Sequence, residues 1–223
     1  MKIEQFGLFL AKRLGEPLHY SEEQIAVLAY GLFGIIQTLL SIVIVIILGT
    51  LLGATLEALI VSFSIAILRK SSGGAHATSA ERCLILGTFL SLLGAMLAYL
   101  LTTTLTLTLI YCITFLLFVW SFYAVYKKAP VATPNKPIKS THKQQKLKQE
   151  SLLIVTIYLV IVLLLLLIST FIETSSVLIY SICLTLGMSW QVFTITNIGH
   201  QVIHFLDHVL IYISNLITKE NQL

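Results

Sequence analysis

Residues 152–171 read LLIVTIYLVIVLLLLLISTF, twenty consecutive positions without a charged side chain. A helix rises 1.5 Å per residue, so about 20 apolar residues cross the ~30 Å hydrocarbon core of a bilayer. This run is read as a transmembrane helix, from Leu152 to Phe171. Working outward, five further runs have the same character: Val27 to Leu48, Leu51 to Leu68, Cys83 to Leu101, Leu105 to Tyr126, and Val177 to Thr196. The second contains Glu57, and only Gly49-Thr50 divides it from the first, which predicts a tight hairpin.

Composition agrees. Of 223 residues, 57% are hydrophobic and 11% charged, and the mean hydropathy is +0.94. A soluble domain needs a charged surface to cover its core, and this chain has too few charges to make one. The expected fold is an all-α, polytopic integral membrane bundle of about six transmembrane helices. It forms a single membrane domain over residues 1–223. Residues 1–24 are read as an interfacial amphipathic helix, 69–83 as a polar cytoplasmic segment, 127–150 as a cytoplasmic loop, and 198–223 as a C-terminal interfacial helix.

Basic residues give the orientation. All 14 Lys and Arg fall in four places: Lys2, Lys12 and Arg13; Arg69, Lys70 and Arg82; Lys127 to Lys148; and Lys219. With six spans these lie on one side, and the positive-inside rule puts both termini and the two basic connections in the cytoplasm. The net charge of +4 therefore concerns leaflet orientation and the lipid bilayer, not nucleic acid. Residues 1–20 show no cleavable signal pattern. They place Ile3, Phe6, Leu10 and Leu14 on one helical side, and Ser21-Glu22-Glu23-Gln24 has the form of a capping box. The Lys127–Glu150 loop holds Pro130, Pro134 and Pro137 before a Lys-rich run suited to anionic lipid or an acidic partner.

One polar break carries chemistry. Gly73-Gly74-Ala75-His76-Ala77-Thr78-Ser79-Ala80-Glu81-Arg82-Cys83 sets a histidine and a cysteine between two apolar runs. Cys112 and Cys183 lie inside predicted spans, where a cysteine usually packs as a small hydrophobe. In an unbroken helix, seven residues would separate His76 and Cys83 by about 10 Å along the axis. A general base must come within about 3 Å of its nucleophile, so the segment has to bend for the two to cooperate. Gly73-Gly74 supplies the freedom, and Thr78 or Ser79 can cap the helix carrying Cys83. Cations lower a thiol pKa, and Arg82, Arg69 and Lys70 are the nearby candidates. Taken alone, however, a Cys at a helix end and a His in a loop read more simply as packing and solvation.

Arg69, then Gly74-Ala75-His76-Ala77, then Cys83 six residues further on resembles the accessory gene regulator B family. A second likeness lies in Ala129-Pro130-Val131, Asn135-Lys136-Pro137-Ile138 and the Lys-rich run that follows. Ile3-Glu4-Gln5-Phe6 and Lys12-Arg13 are similar too, and the resemblance covers about residues 1 to 170. It implies a cysteine endopeptidase of the bacterial cell membrane in peptide quorum sensing. Such a protein cuts the C-terminal tail from a small precursor peptide and helps cyclise it into a thiolactone or lactone signal. By position, Cys83 is then the nucleophile, His76 the general base and acid, and Arg69 and Gly74 supporting residues. The resemblance also implies a homodimer as a candidate assembly, and no cofactor or metal.

Other residues are open. Glu57 is an intramembrane acid that can be functional, snorkel to the outer interface, or pair within the bundle. His200, His204 and His208 recur every four residues beside Asp207, a spacing that suits a metal or simply the polar side of an interfacial helix. Ser79, Glu81 and Asn197 are candidates for a third catalytic residue. The competing function is a small peptide transporter or exporter without protease activity, which would leave the precursor intact. Such folds usually show inverted repeats or helices broken at mid-membrane, whereas the glycine break here is at the cytoplasmic edge.

Overall fold

Backbone N–H and C=O groups in hydrocarbon have no water to bond, so a chain that enters it must satisfy them internally. A computed structural model describes residues 3–132, 140–171 and 175–220, and there the chain does so with helices. They are α1 (Ile3–Gly15), α2 (Glu22–Leu51), α3 (Thr55–Ser72), α4 (Ala80–Thr104), α5 (Leu107–Lys128), α6 (Thr141–Phe171), α7 (Ser175–Thr194) and α8 (Asn197–Glu220), with a 3-10 turn at Glu16–Leu18. Among the described residues the extended pairing amounts to one isolated parallel bridge, Gly73 to Val131. The fold is all-α.

Five helices, α2, α4, α5, α6 and α7, are long and apolar enough to cross a membrane. The expectation of six meets its exception in α3, which carries Glu57, Arg69 and Lys70 within 18 residues. Its polarity is absorbed by protein: α3 packs against α2, α4, α6 and α7, burying Ala58, Val61, Ser64, Leu68, Ser71 and Ser72. The break between the first two apolar runs also falls later than Gly49-Thr50. Thr50 keeps the helix going, with its hydroxyl donating to the Ile46 carbonyl (2.7 Å), and the chain turns at Gly53, where φ is +65°. Gly49 is instead a contact point. A Cβ there would lie 2.9 Å from the Thr55 Cα.

α7 is the centre of the bundle, touching α3, α4, α5, α6 and α8. Lipid tails are as apolar as leucine, so helices in a bilayer associate through close packing and hydrogen bonds, with small residues at the contacts. α7 buries Ser181, Thr185, Gly187 and Thr194 accordingly. At Gly187 a Cβ would come within 1.8 Å of Ser64 Oγ and 2.8 Å of the Val61 carbonyl, so the α3–α7 approach requires glycine. Across from it the Tyr158 hydroxyl on α6 donates to the Ser64 carbonyl (3.0 Å).

α1 folds back on α2. Gly7 sits against Ala29 and Phe33, Gly15 against Ile25, while Phe6, Phe9 and Leu14 are left uncovered by protein. The expected capping box is present, with Gln24 N donating to Ser21 Oγ (3.3 Å) and Ser21 N to Gln24 Oε1 (2.9 Å). The segment containing Pro134, Asn135, Lys136, Pro137 and Ile138 lies outside the described residues.

Candidate active site

α3 ends because Gly73 takes φ +67°, ψ −148°, a conformation open essentially to glycine alone. Gly74 follows at φ +128°. The chain then runs without helix until Ser79, in extended geometry, caps α4 by accepting from the Arg82 N–H (3.3 Å). The bend that His76 and Cys83 require is therefore present. His76 lies in the non-helical stretch, and Cys83 lies in the first turns of α4, its N–H bonded to the Ser79 carbonyl (3.0 Å).

Distant parts of the chain hold the bend. Val131, just past α5, donates its N–H to the Ser72 carbonyl (2.9 Å) and bridges Gly73 so closely that a Cβ on Gly73 would lie 2.1 Å from its oxygen. Ala75 N–H donates to the Thr194 carbonyl at the end of α7 (3.1 Å). Gln191, fully buried, donates through Nε2 to Ser72 Oγ (3.0 Å) and the Gly73 carbonyl (2.7 Å). Gly74 fits against Thr194, where a Cβ would meet Oγ1 at 2.6 Å. The ends of α3, α5 and α7 and the start of α4 thus meet at one end of the bundle.

Arg69 reaches from the last turn of α3 and donates a guanidinium N–H to the Ala75 carbonyl. Its charge acts on His76, and Cys83 is among its electrostatic neighbours. The His76 side chain keeps solvent on one face, but the protein packed around it and then the Arg69 charge push its pKa down to about 4. The imidazole is therefore a neutral base at physiological pH. Cys83 is half-buried and free, and no hydrogen bond joins it to His76. Cys112 is exposed on α5 and Cys183 is buried in α7, as free thiols apart from this segment.

Arg82, beside Cys83 in sequence, makes its own bonds to other groups. Its Nε donates to Asp207 Oδ1 at 2.6 Å, in an ion pair with α8, and its terminal nitrogen donates to Thr78 Oγ1. Asp207 Oδ2 also accepts from Thr78 Oγ1 (2.6 Å) and Thr78 N–H (3.2 Å). Burial alone would raise the carboxyl pKa. The Thr78 and Arg82 hydrogen bonds and the Arg82 charge outweigh it and hold the group below its usual value. Lys70 is exposed.

Asp207 is 1% exposed, on a face of α8 with Gly199 and Ile203, so it turns away from the histidine row. His204 and His208 are exposed, with His208 Nδ1 against the His204 carbonyl (2.8 Å). Among the described residues no cluster of three His, Cys, Asp or Glu is placed to hold a metal. His200 lines an open depression of about 470 Å³ with Lys128, Val131, Ile195 and Asn197. Of the candidates for a third residue, Ser79 is the helix cap and Asn197 accepts from Lys128 Nζ (3.3 Å). Glu57 lies at the opposite end of α3 and pairs within the bundle, accepting from the Tyr99 hydroxyl (2.8 Å). Gln191 is the residue that sequence reasoning passed over, and Asp207, read there beside the histidine row, turns instead to Thr78 and Arg82. The signal available was a lone amide near the end of an apolar helix, and an acid on the inner spacing of α8.

The family model described as accessory gene regulator B matches residues 9–195. A protein named by likeness as AgrB-like, from Clostridium perfringens (strain SM101 / Type A), is 37% identical over 217 residues, covering 92% of this chain and 96% of the relative. A second AgrB-like protein, from Clostridium perfringens (strain 13 / Type A), is 36% identical over the same length and shares. No solved structure matches the chain.

Proposed function

The chain belongs to the accessory gene regulator B family, and from that premise we propose that it is a membrane cysteine endopeptidase that cuts a small precursor peptide and promotes its cyclisation. In this reading Cys83 is the nucleophile and His76 the general base and acid. Arg69 and Gly74 shape the segment between them, and the segment faces the cytoplasm with both chain termini.

The observation that carries the reading is the place of Arg69. One guanidinium, anchored on the Ala75 carbonyl, lies in electrostatic reach of both His76 and Cys83, the two residues the family motif pairs. A neutral imidazole can accept the thiol proton. The sulfur then attacks the scissile carbonyl carbon, and the imidazolium returns the proton to the departing amine, leaving a thioester on Cys83. A thiol or hydroxyl of the precursor attacks that thioester, closing a thiolactone or lactone and restoring the Cys83 thiol. Hydrogen bonds between catalytic groups often form only in the substrate complex. Closure of His76 onto Cys83 is therefore assigned to the bound state.

Precursor cleavage by purified protein in liposomes tests this, with Cys83→Ala and His76→Ala beside the parent. Both variants should leave the peptide uncut while inserting normally. Cleavage by the Cys83→Ala protein would remove the nucleophile from the scheme, and a parent protein that moves the peptide across the membrane uncut would favour a transporter.

A further inference from the structure

The carboxylate of Asp207 is a buried charge that the proposed chemistry does not use. It lies on α8, beyond the residues matched by the family model. Each of its oxygens is committed to the polar segment: Oδ2 to the backbone and hydroxyl of Thr78, Oδ1 to the guanidinium of Arg82. Thr78 is two residues from His76, and Arg82 is next to Cys83. One rigid group therefore spans the stretch between base and nucleophile, and a third bond, Arg82 to Thr78, closes the triangle.

Two roles fit a buried ion pair of this kind. It can staple α8 to the bundle, or it can fix the local geometry of the segment it grips. The bonding favours the second. A staple needs one contact, whereas here the charged bonds converge from both sides of a single bend and include a backbone N–H. Charge-assisted bonds are short and directional, so they define position as well as energy. The other pins, from Val131, Gln191 and Thr194, all act at or before Ala75. Between His76 and Cys83, apart from the helix cap and a longer bond from Gln37 to the Ala80 carbonyl (3.4 Å), Asp207 supplies the tertiary hold.

We infer that Asp207 is a positioning residue: from α8 it clamps Thr78 and Arg82 and so sets the placement of His76 relative to Cys83. The inference rests on the dyad proposed above for its catalytic consequence, but not for its geometry.

The test uses full-length protein in liposomes, with Asp207→Asn, Arg82→Gln, the double variant, Thr78→Val, and His204→Ala as an α8 control outside the clamp. Precursor cleavage gives kcat and KM, and site-resolved iodoacetamide labelling gives the alkylation rate of Cys83. Because a charge-assisted bond is stronger than a neutral one, Asp207→Asn should lower kcat by roughly 10- to 100-fold, with KM within about threefold. Thr78→Val should lose less, and it keeps the test open should Asp207→Asn fail to fold. Because the partners act as one unit, the double variant should be no worse than the more damaged single variant. Cys83 alkylation should change in Asp207→Asn and stay at the parental rate in His204→Ala. Parental kcat in both Asp207→Asn and Thr78→Val, a loss carried by KM alone, additive losses, or unchanged alkylation would each overturn the inference. A parent that cuts no precursor defeats the protease reading instead, and alkylation then still decides whether the clamp shapes the site.

Discussion

Replacing Gly73 by alanine puts the geometry of the bend under direct stress. At φ +67°, ψ −148° an alanine carries a backbone cost of about 1–3 kcal/mol. Its Cβ would also stand 2.1 Å from the Val131 carbonyl oxygen and 3.1 Å from the carbonyl carbon. Both are backbone atoms, so no side chain can swing aside. Relief requires the chain at Val131 to withdraw by roughly 1.4 Å, since carbon contacts are comfortable only near 3.5 Å. That movement opens the 2.9 Å bond from Val131 N–H to the Ser72 carbonyl, worth about 1 kcal/mol net. The sum is about 2–4 kcal/mol, borne locally by the segment. At 1.4 kcal/mol per tenfold, a mid-range value of about 3 kcal/mol reduces the correctly placed population about 100-fold. Single-turnover precursor cleavage in liposomes reads this loss, and detergent size exclusion checks that the protein remains intact. Gly87→Ala is the control, because a Cβ there meets nothing within 4 Å. A Gly73→Ala protein that folds and cuts at more than a third of the parental rate would show that the segment does not rest on Val131.

Gln191→Leu should remove the amide bonds to Ser72 and Gly73, leaving the Gly73 carbonyl only the 3.2 Å bond from the Ser72 hydroxyl, and lower cleavage about tenfold with insertion preserved; parental activity would dismiss the amide as a pin. His76 titrates below its ordinary value, so the acid limb of kcat/KM should fall well under pH 6, and a midpoint at 6.5 would contradict the environment described. The same depression means that the unfolded chain takes up the proton first as pH falls. Stability should therefore decline between about 6.5 and 4, and His76→Gln should flatten that part of the curve. Gly187→Ala should lower the thermal midpoint in detergent through its contacts with Ser64 Oγ and the Val61 carbonyl, costing about 1–3 kcal/mol. Adding Ser64→Ala should restore only part of it, because the Val61 backbone stays in place. Replacing His200, His204 and His208 together by alanine should leave the zinc content of purified protein unchanged.

What could be read in advance followed the range of the interactions. The run at 152–171 announced a span because hydrophobicity is written locally. Yet α6 begins at Thr141, since its exposed, Lys-rich first turns are helical without being apolar. α3 was the hardest helix to place, because its polar residues are satisfied by α4, α6 and α7, which no window of its own sequence contains. The need for a bend at Gly73-Gly74, if His76 and Cys83 are to cooperate, was legible from spacing and helix geometry, whereas the pairing itself came from the resemblance. The pins at Val131, Gln191, Thr194 and Asp207 were not, because contacts 50 to 130 residues apart leave no periodic trace. Arg82 is the instructive case. Adjacency in sequence aimed its charge at Cys83, whereas side chains on neighbouring helical positions point about 100° apart, and Asp207 captured it.

The order in which the pins arrive has a consequence for synthesis. His76 and Cys83 leave the ribosome early, but Val131, Gln191, Thr194 and Asp207 follow one after another, the last of them 124 residues behind Cys83. At the usual 5–20 residues per second, that is an interval of roughly 6–25 seconds. During that time the nascent chain carries a thiol and an imidazole but not the framework that aligns them. On the proposed reading, the contacts that hold the polar segment are therefore complete only once α8 has been made.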